Sequence, residues 1–507
     1  MLGLVESGRN LRRRVRSSPY LLKGSPVPIS ARRTHYWVSF ALLAVAVGSF
    51  ALMQSMTVPV LSRIEQQLDT DQSTVTWVLT AYLLSASVFT PIIGRLGDAV
   101  GKKRMIVISL AALSIGSLIA ALAPSIGVMI VARVIQGIGG GVFPLAFGII
   151  RDEFPDSKVA SAVSFIASLG AVGFGVGIVV AGPIVNGLGY AWLFWLPMIV
   201  TAGAAVGAAA FIPESPVRTP GRIPLLPAVL LSAWLVCLLL ALSQAHEWGW
   251  SSPKFIGLTA AAAIIAASWV TLEHRVPVPL IDMHMMRLKG VWTTNLVALL
   301  VGVGMYASFG FLPQFIQTPT SAGYGLGATV TESGLVLLPM AVASFLTGLV
   351  SAPIARWIGP KTVVVVGCLI AAAGMTLTAL VHDTKAQLMT SAGLTGLGVG
   401  LAFACLASLI VAAVPPEQTG VASGMNTNIR TIGGSIGSAV MASIVTAHVF
   451  PTGLPHERGY TIGFLVLAGT MLLAALAGLT IPTVSGRRNE QRLLKEPVDR
   501  ELAIMGA

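Results

Sequence analysis

The sequence has little of what a soluble protein places on its surface. Only 10% of its 507 residues are charged and 55% are hydrophobic, against roughly a quarter charged in an ordinary soluble protein. A soluble globular protein is therefore excluded. Cysteine is scarce as well, and Cys237, Cys368 and Cys405 stand at unrelated positions inside apolar segments. They predict small core side chains and argue against a disulfide framework or a cysteine metal site.

Motifs of enzymes are missing too. The glycine-rich segment GIGGGVFPLAFG at 137–148 lacks the Lys and the Ser or Thr of a phosphate-binding loop, and the chain has no HExxH or CxxC pattern. We therefore predict no enzymatic activity, no metal site and no cofactor. An ATP-driven pump would need a separate nucleotide-binding subunit.

What the sequence has in abundance is long apolar segments. A helix needs about 20 mostly apolar residues to cross ~30 Å of hydrocarbon, and fourteen segments reach that length. They are 36–60, 72–93, 105–123, 126–150, 159–184, 191–212, 225–244, 254–272, 291–316, 333–355, 361–381, 387–413, 418–447 and 459–482. The sequence thus predicts an all-α integral membrane protein with fourteen spans.

The basic residues are distributed as topology requires. Lys and Arg accumulate in both tails and in every second connection, at 1–35, 95–104, 151–158, 218–222, 275–289, 356–361 and 487–500. The intervening loops carry only Arg63, Lys254, Lys385 and Arg458. Because cytoplasmic loops are enriched in Lys and Arg, we predict a multi-pass protein of the cell membrane with both termini cytoplasmic. The arm LRRRVR at 11–16 favours contact with anionic membrane lipid over nucleic acid.

Residues 94–104, GRLGDAVGKKR, connect the second and third apolar segments, and we call them the latch. So many charges predict a short turn outside the hydrocarbon. The segment resembles the signature loop of the major facilitator superfamily, and Ala99 stands where an Arg is usual. The matching residues are Gly94, Leu96, Asp98, Gly101, Lys102 and Lys103, with Arg104 extending the basic run. We expect Asp98 to accept hydrogen bonds from a neighbouring helix end or to pair with Arg104 or Arg151.

Three further segments resemble one branch of that superfamily. RVIQGIGGGVFP at 133–144 is similar to a superfamily pattern through Arg133, Gln136, Gly137 and Gly139. GAVGFGVGIVVAGPIVNG at 170–187 is similar to the antiporter signature. It matches at Gly182, Pro183 and Gly187, departs at Ile178 and Asn186, and has additional glycines at Gly173, Gly175 and Gly177. NTNIRTIGGSIGSAV at 426–440 is similar to an Arg-x-x-Gly-Gly helix of the same branch. Along 36–482 the chain resembles the fourteen-span drug:proton antiporters of the EmrB/QacA type.

This resemblance implies the superfamily fold of two six-helix bundles with two extra central spans. A weak internal repeat agrees with it, since PIIGRLGDAVGKKRMIVIS at 91–109 has an echo in PIARWIGPKTVVVVG at 353–367. The predicted parts are a basic arm at 1–35, a bundle at 36–212, two linker spans and a linker at 213–290, a second bundle at 291–482 and a basic tail at 483–507. Within the linker, Pro277 and Pro279 argue against a continuous helix, and IDMHMMRL at 281–288 could form a short amphipathic segment.

The resemblance also implies a function. It indicates a monomeric secondary transporter that exports hydrophobic or amphipathic small molecules by alternating access, with coupling to protons and a role in multidrug and antibiotic resistance. One departure bears on the coupling. The family commonly has an acidic residue in span one, where FALMQSMTVPVL at 50–61 offers only Gln54, Ser55 and Thr57. We place none of the 20 Asp and Glu residues at mid-membrane, and amides and hydroxyls do not titrate near neutral pH.

Two alternatives therefore stay open beside the proton-coupled exporter. One is a lipid transporter or an uncoupled facilitator, and the other is a membrane sensor that transports nothing. For a proton carrier the sequence offers Glu332, at the start of span ten, where partial burial raises a carboxyl pKa. The rival interpretation is a solvated Glu that stabilises a helix N-terminus.

Several side chains are candidates for binding cargo or coupling. They are Gln54, Arg133, Gln136, Tyr306, Phe309, Glu332, Asn426, Asn428 and Arg430. Arg133 and Arg430 lie within spans and should turn away from lipid, to bind cargo or to pair with helix carbonyls. We expect Arg133 to face a central cavity near Gln54 and Gln136. The aromatic and Met residues of span nine, 305–315, either line that cavity or pack in the core.

Overall fold

The computed structural model describes residues 36–57, 60–215, 224–450 and 454–482. The predicted basic arm at 1–35 and basic tail at 483–507 lie outside these ranges. Within them the chain is helical, with one isolated β-bridge between Val449 and Pro455. They contain 14 helices long and apolar enough to cross a membrane. The predicted fold class and number of spans are confirmed.

We number these membrane helices α1 to α14. They are Tyr36–Met56, Gln72–Val100, Lys102–Ala121, Ile126–Glu153, Asp156–Leu188, Trp192–Phe211, Leu225–Trp248, Pro253–Glu273, Lys289–Gln317, Val330–Ile358, Pro360–Leu380, Lys385–Ala413, Thr419–Thr446 and Glu457–Gly478. Helix α4 is interrupted by a 3₁₀ turn at Ile138–Gly141. Short helices at Leu61–Gln67 and Met283–Arg287 lie between membrane helices.

Helix neighbours repeat between the two halves of the chain. In the first bundle α1 packs on α5 and α6, α3 packs on α4 and α6, and α2 packs on α4. In the second bundle α9 packs on α13 and α14, α11 packs on α12 and α14, and α10 packs on α12. Each helix of the first bundle thus corresponds to the helix eight places later, as expected for the internal repeats of transporter folds.

The bundles meet along two seams that follow the same correspondence. Helix α5 packs on α10, and α2 packs on α13. The extra helix α7 packs on both α2 and α13, while α8 packs on α7. Of the α8 residues, only Ala262, Trp269 and Glu273 are buried, so α8 turns most of its apolar surface outward, as a lipid-facing helix does.

The latch differs from the predicted turn. Helix α2 continues through the latch sequence to Val100, and α3 begins at Lys102, so Gly101 alone separates the two helices. Gly101 has a φ of +132°, which favours glycine. Asp98 and Lys102 are buried. The helix can run through these charges because protein groups, and not water, satisfy them.

The linker after α8 is held by hydrogen bonds to the last residue of α8 and to a residue just before α13. Helix α8 ends at Glu273, before Pro277 and Pro279, and the carboxylate of Glu273 accepts a hydrogen bond from the backbone N–H of Leu280 at 2.9 Å. The predicted amphipathic segment contains the short helix Met283–Arg287, whose N-cap Asp282 also accepts a hydrogen bond from Gln418 at 3.3 Å. The linker therefore contacts the residues just before α13.

Candidate functional site

A cavity lies between the two bundles near the middle of the membrane helices. Helices α1, α2, α4 and α5 line it from one side and α9, α12 and α13 from the other. Its volume is about 40 Å³, whereas a drug-sized ligand occupies a pocket of roughly 300–1,000 Å³. Cargo of that size binds there only after the bundles separate.

Five of the predicted candidates line this cavity. They are Gln54, Tyr306, Phe309, Asn428 and Arg430. The side chain of Asn426, one helical turn earlier in α13, instead donates a hydrogen bond to Asn295 of α9 at 2.8 Å. Asn426 thus joins two helices of one bundle.

The cavity wall contains polar atoms that have no hydrogen-bond partner among the described residues. They are the hydroxyl oxygens of Tyr82 and Ser87, Nδ2 of Asn428 and Nε of Arg430. Each of these residues is at least nine-tenths buried. Buried polar groups are normally satisfied, and bound water or a bound ion is one explanation for such exceptions. These groups can therefore form several hydrogen bonds with a molecule bound in the cavity.

Arg430 is the charged member of the cavity lining. Its guanidinium carbon lies 4.2 Å from the centroid of the Phe403 ring, and its side chain interacts with the phenol of Tyr306. No carboxylate in the described part of the chain forms an ion pair with it. The cavity lining thus includes a cation, Arg430, that forms no ion pair with a described carboxylate.

Arg133 occupies a different place from the one that the sequence predicted. It is fully buried inside the first bundle, where Nε donates to the carbonyl of Val78 at 3.0 Å and Nη1 donates to Gln136 at 2.8 Å. Gln136 donates in turn to Ser117 of α3 at 3.0 Å. Neither Arg133 nor Gln136 lines the cavity with Gln54, because Tyr82 lies between, with its ring centroid 5.0 Å from the guanidinium carbon.

Cysteine labelling tests these placements. In a background without Cys237, Cys368 and Cys405, we expect Gln54→Cys to react with a small maleimide, because Gln54 is partly exposed and lines the cavity. Arg133→Cys should stay protected, because Arg133 has no exposed surface. Equal reaction rates of the two cysteines would contradict the described arrangement.

The latch joins the two bundles at one end of the cavity, which we call the latch end. The Asp98 carboxylate accepts hydrogen bonds from the backbone N–H groups of Gly420 at 3.3 Å and Val421 at 3.0 Å. These groups belong to the first turn of α13, where N–H groups lack helical partners and the helix dipole favours an anion. Of the arrangements expected for Asp98, the structure shows the one with a neighbouring helix end.

A buried cation completes this contact. Lys102 donates to Asp152 of α4 at 2.8 Å and lies 3.8 Å from Asp98, and all three side chains are at most 3% exposed. Asp152 also accepts a hydrogen bond from Ser215. The pairing of Asp152 with Lys102 was not predicted from the sequence. Arg104 pairs at the surface with Glu214 at 3.6 Å.

Two glycines make the approach of α2 to α13 possible. A Cβ atom on Gly94 would lie 2.5 Å from the carbonyl oxygen of Gly420, and a Cβ on Gly420 would lie 2.6 Å from that of Gly94. Nearby, Nη1 of Arg151 donates to the Val411 carbonyl at 2.6 Å and to Thr419 at 2.8 Å. The latch end is therefore closed by contacts from both α2 and α4.

The glycines of α5 serve two different neighbours. A Cβ on Gly173 or Gly177 would collide with α1, where Ser55 donates to the Gly173 carbonyl at 2.9 Å. A Cβ on Gly175 or Gly182 would collide with Ala341 or Thr331 of α10, across the seam between the bundles. Pro183 and Gly187 are exposed near the end of α5. Small residues thus allow close helix packing on both faces of α5.

Glu332 lies at the protein surface. Its carboxylate closes a capping box with Thr329 at the start of α10 and pairs with Lys385 at 3.1 Å. This arrangement corresponds to the rival interpretation of a helix N-terminal Glu.

Comparison with known proteins identifies the family to which this chain belongs. The sequence model of the Major Facilitator Superfamily matches residues 43–438 and 294–499. The chain belongs to the major facilitator superfamily. The resemblance of the latch and of the segment 170–187 to superfamily patterns is thereby confirmed at the level of the superfamily.

Curated relatives are named as drug transporters, resistance proteins or efflux pumps. The chain is 28% identical over 379 residues to the multidrug transporter protein MdtP of Bacillus subtilis, covering 74% of this chain and 69% of that protein. It is 28% identical over 428 residues to the tetracenomycin C resistance and export protein of Streptomyces glaucescens, covering 83% and 78%. It is 26% identical over 441 residues to the multidrug efflux pump LfrA of Mycolicibacterium smegmatis, covering 84% and 85%.

A solved structure shares the fold. The crystal structure of the human organic anion transporter MFSD10 (TETRAN) has a TM-score of 0.60 and 17% sequence identity, covering 88% of this chain and 99% of that chain. At this identity the similarity supports the fold of the superfamily transporter and nothing finer.

Proposed function

We propose that this transporter exports hydrophobic or amphipathic small molecules across the cell membrane by alternating access. The observation that carries the proposal is the central cavity, which lies between two bundles that a buried contact holds together at one end. The export and efflux names of two relatives that match most of this chain support the direction of transport.

The geometry supports a rocking mechanism. The seam between α5 and α10 contains Gly175, Gly182 and Gly348 in close contact with the opposite helix, and such small residues allow the bundles to tilt against each other at close range. At the latch end the bundles are joined by hydrogen bonds that run from Arg151 to Val411 and Thr419 and from Gly420 and Val421 to Asp98. Separation at this end exchanges those contacts for water. We propose that the latch end faces the cytoplasm, in agreement with the basic residues around it, and that the chain acts as a monomer.

Transport in liposomes tests the proposed function. Purified protein should move a hydrophobic dye across the membrane, and a pH gradient should accelerate the movement if protons drive it. A lipid carrying a fluorescent head group serves as the second cargo, because the absence of a carboxylate from the cavity lining favours a lipid transporter or facilitator as the alternative. Movement of that lipid alone, with no response to the gradient, would establish the alternative.

Energy coupling gives a specific prediction for Glu332. We expect Glu332→Gln to keep the full dependence of transport on the pH gradient, because the carboxylate is exposed and engaged in a cap and a surface ion pair. The comparison includes wild type and Asp98→Asn, measured as initial rates with and without the gradient. Loss of the gradient dependence in Glu332→Gln alone would make Glu332 the proton carrier.

A further inference from the structure

Arg430 is a buried cation without a counter-charge at the wall of the central cavity. The residue is 5% exposed, and Nε has no hydrogen-bond partner among the described residues. Its side chain lies over the Phe403 ring and interacts with the Tyr306 phenol, and no carboxylate of the described chain pairs with it. An arginine inside a membrane protein is costly to bury, and it normally pairs with an opposite charge or lines a pathway.

A second cation strengthens the positive field at the same place. Arg133 lies behind Tyr82, which lines the cavity, and within the described ranges Nη2 of Arg133 also lacks a hydrogen-bond partner. No Asp or Glu is among the residues that line the cavity in the described chain. Charges of one sign on low-dielectric walls raise the local concentration of the opposite ion. An anion is therefore attracted to this cavity, and a cation is repelled from it.

The rest of the lining divides into hydrogen-bonding and apolar parts. Tyr82, Ser87 and Asn428 each present a hydroxyl or an amide N–H₂ that no group in the described part of the chain hydrogen-bonds. All three groups can donate to an acceptor oxygen. Phe50, Phe143 and Met305 contribute apolar surface. A molecule that has an oxygen-rich acidic group on an aromatic or aliphatic body matches both parts.

We propose that the cargo is an amphipathic organic anion whose carboxylate or sulfonate binds Arg430. The inference rests on the proposed transport function and deepens it. The acidic group supplies the counter-charge that Arg430 lacks and accepts charge-assisted hydrogen bonds from the guanidinium. The apolar body lies against the aromatic rings once the bundles have separated enough to admit it. Cationic cargo meets like charge at Arg430 and is disfavoured.

Three dyes separate the charge of the cargo from its hydrophobicity. The anion is 8-anilinonaphthalene-1-sulfonate, and its matched neutral compound is N-phenyl-1-naphthylamine, which has the same rings without the sulfonate. The cation is ethidium. Uptake of each into liposomes that contain the full chain is compared with protein-free liposomes. We expect wild type to transport the anion in preference to the other two dyes.

Substitutions then assign the preference to Arg430. Arg430→Gln should lower the anion rate by roughly tenfold or more, because a charge-assisted bond is lost, and should leave the neutral dye within about twofold. Arg430→Lys, which keeps the charge, should restore part of the anion rate. Arg458→Gln removes one positive charge from an exposed position and should leave all rates unchanged. Transport of the neutral dye by Arg430→Gln shows that the variant is folded.

The outcomes distinguish this inference from the proposed function. Wild-type transport of the neutral dye or of ethidium without transport of the anion would leave the exporter intact and overturn the anion proposal. An equal fall for all dyes in both Arg430 variants would also overturn it. Transport of none of the three dyes by wild type would contradict the exporter and the anion proposal together.

Discussion

Asp98→Asn is expected to lower transport turnover by roughly tenfold or more while the protein still inserts at wild-type abundance. The Asp98 carboxylate receives two backbone N–H groups from the first turn of α13 and lies beside the buried Lys102. Asparagine is neutral and turns a donor toward one of these groups. A hydrogen bond to a charged group contributes about 1.5–3 kcal/mol, so the latch-closed state loses enough stability to change its population substantially.

Two measurements check this expectation. Initial rates in liposomes report turnover, and labelling of Gln54→Cys from the latch side reports opening, which should increase in Asp98→Asn. Asp156→Asn is the matched control, because Asp156 is an exposed acid at the same end of the first bundle. Wild-type turnover of Asp98→Asn at equal abundance would show that the carboxylate does not control the conformational change.

The second large effect is expected from a single methyl group. In Gly420→Ala the new Cβ would lie 2.6 Å from the Gly94 carbonyl oxygen and 2.8 Å from Asp98 Oδ1. Because a backbone carbonyl cannot rotate away as a side chain can, α13 must move off α2. We expect Gly420→Ala to open the latch end at least as strongly as Asp98→Asn, and Gly94→Ala to have the same effect from the other helix.

A double variant sharpens this test. Once one methyl group has separated the helices, the second meets open space, so the two effects should not add. Gly310→Ala in α9 is the control, since no atom of the described residues lies within 4 Å of the added Cβ. Additive effects of Gly94→Ala and Gly420→Ala would mean that each glycine acts through a different contact.

The sequence predicted the fold well for a physical reason. Each span is a local property, because about 20 apolar residues are needed wherever a helix crosses hydrocarbon. The match between the latch and the superfamily pattern was local too. By contrast, the partner of Asp98 lies more than 300 positions away at Gly420 and Val421, and local pattern does not reveal which helix end approaches it.

The sequence did not predict which of the two buried arginines lines the cavity. The sequence placed Arg133 and Arg430 inside the protein alike, yet Arg430 lines the cavity and Arg133 lies behind Tyr82. Both stand in glycine-containing helices, so composition does not separate them. Which side of a helix faces the other bundle depends on packing across the whole molecule. The lining by Tyr82, Ser87 and Phe403 was not predicted for the same reason.

The position of α7 affects the route by which cargo can reach the cavity. Near the ends opposite the latch, Thr80 of α2 hydrogen-bonds with Ser243 of α7 at 3.2 Å, and Trp250, just after α7, donates to Ser443 of α13 at 2.6 Å. Helix α7 therefore spans the seam between α2 and α13 as a side wall, while α5 and α10 close the opposite seam. Because these helices cover both seams, we expect a hydrophobic molecule to reach the cavity along the bundle axis and not sideways from the acyl chains.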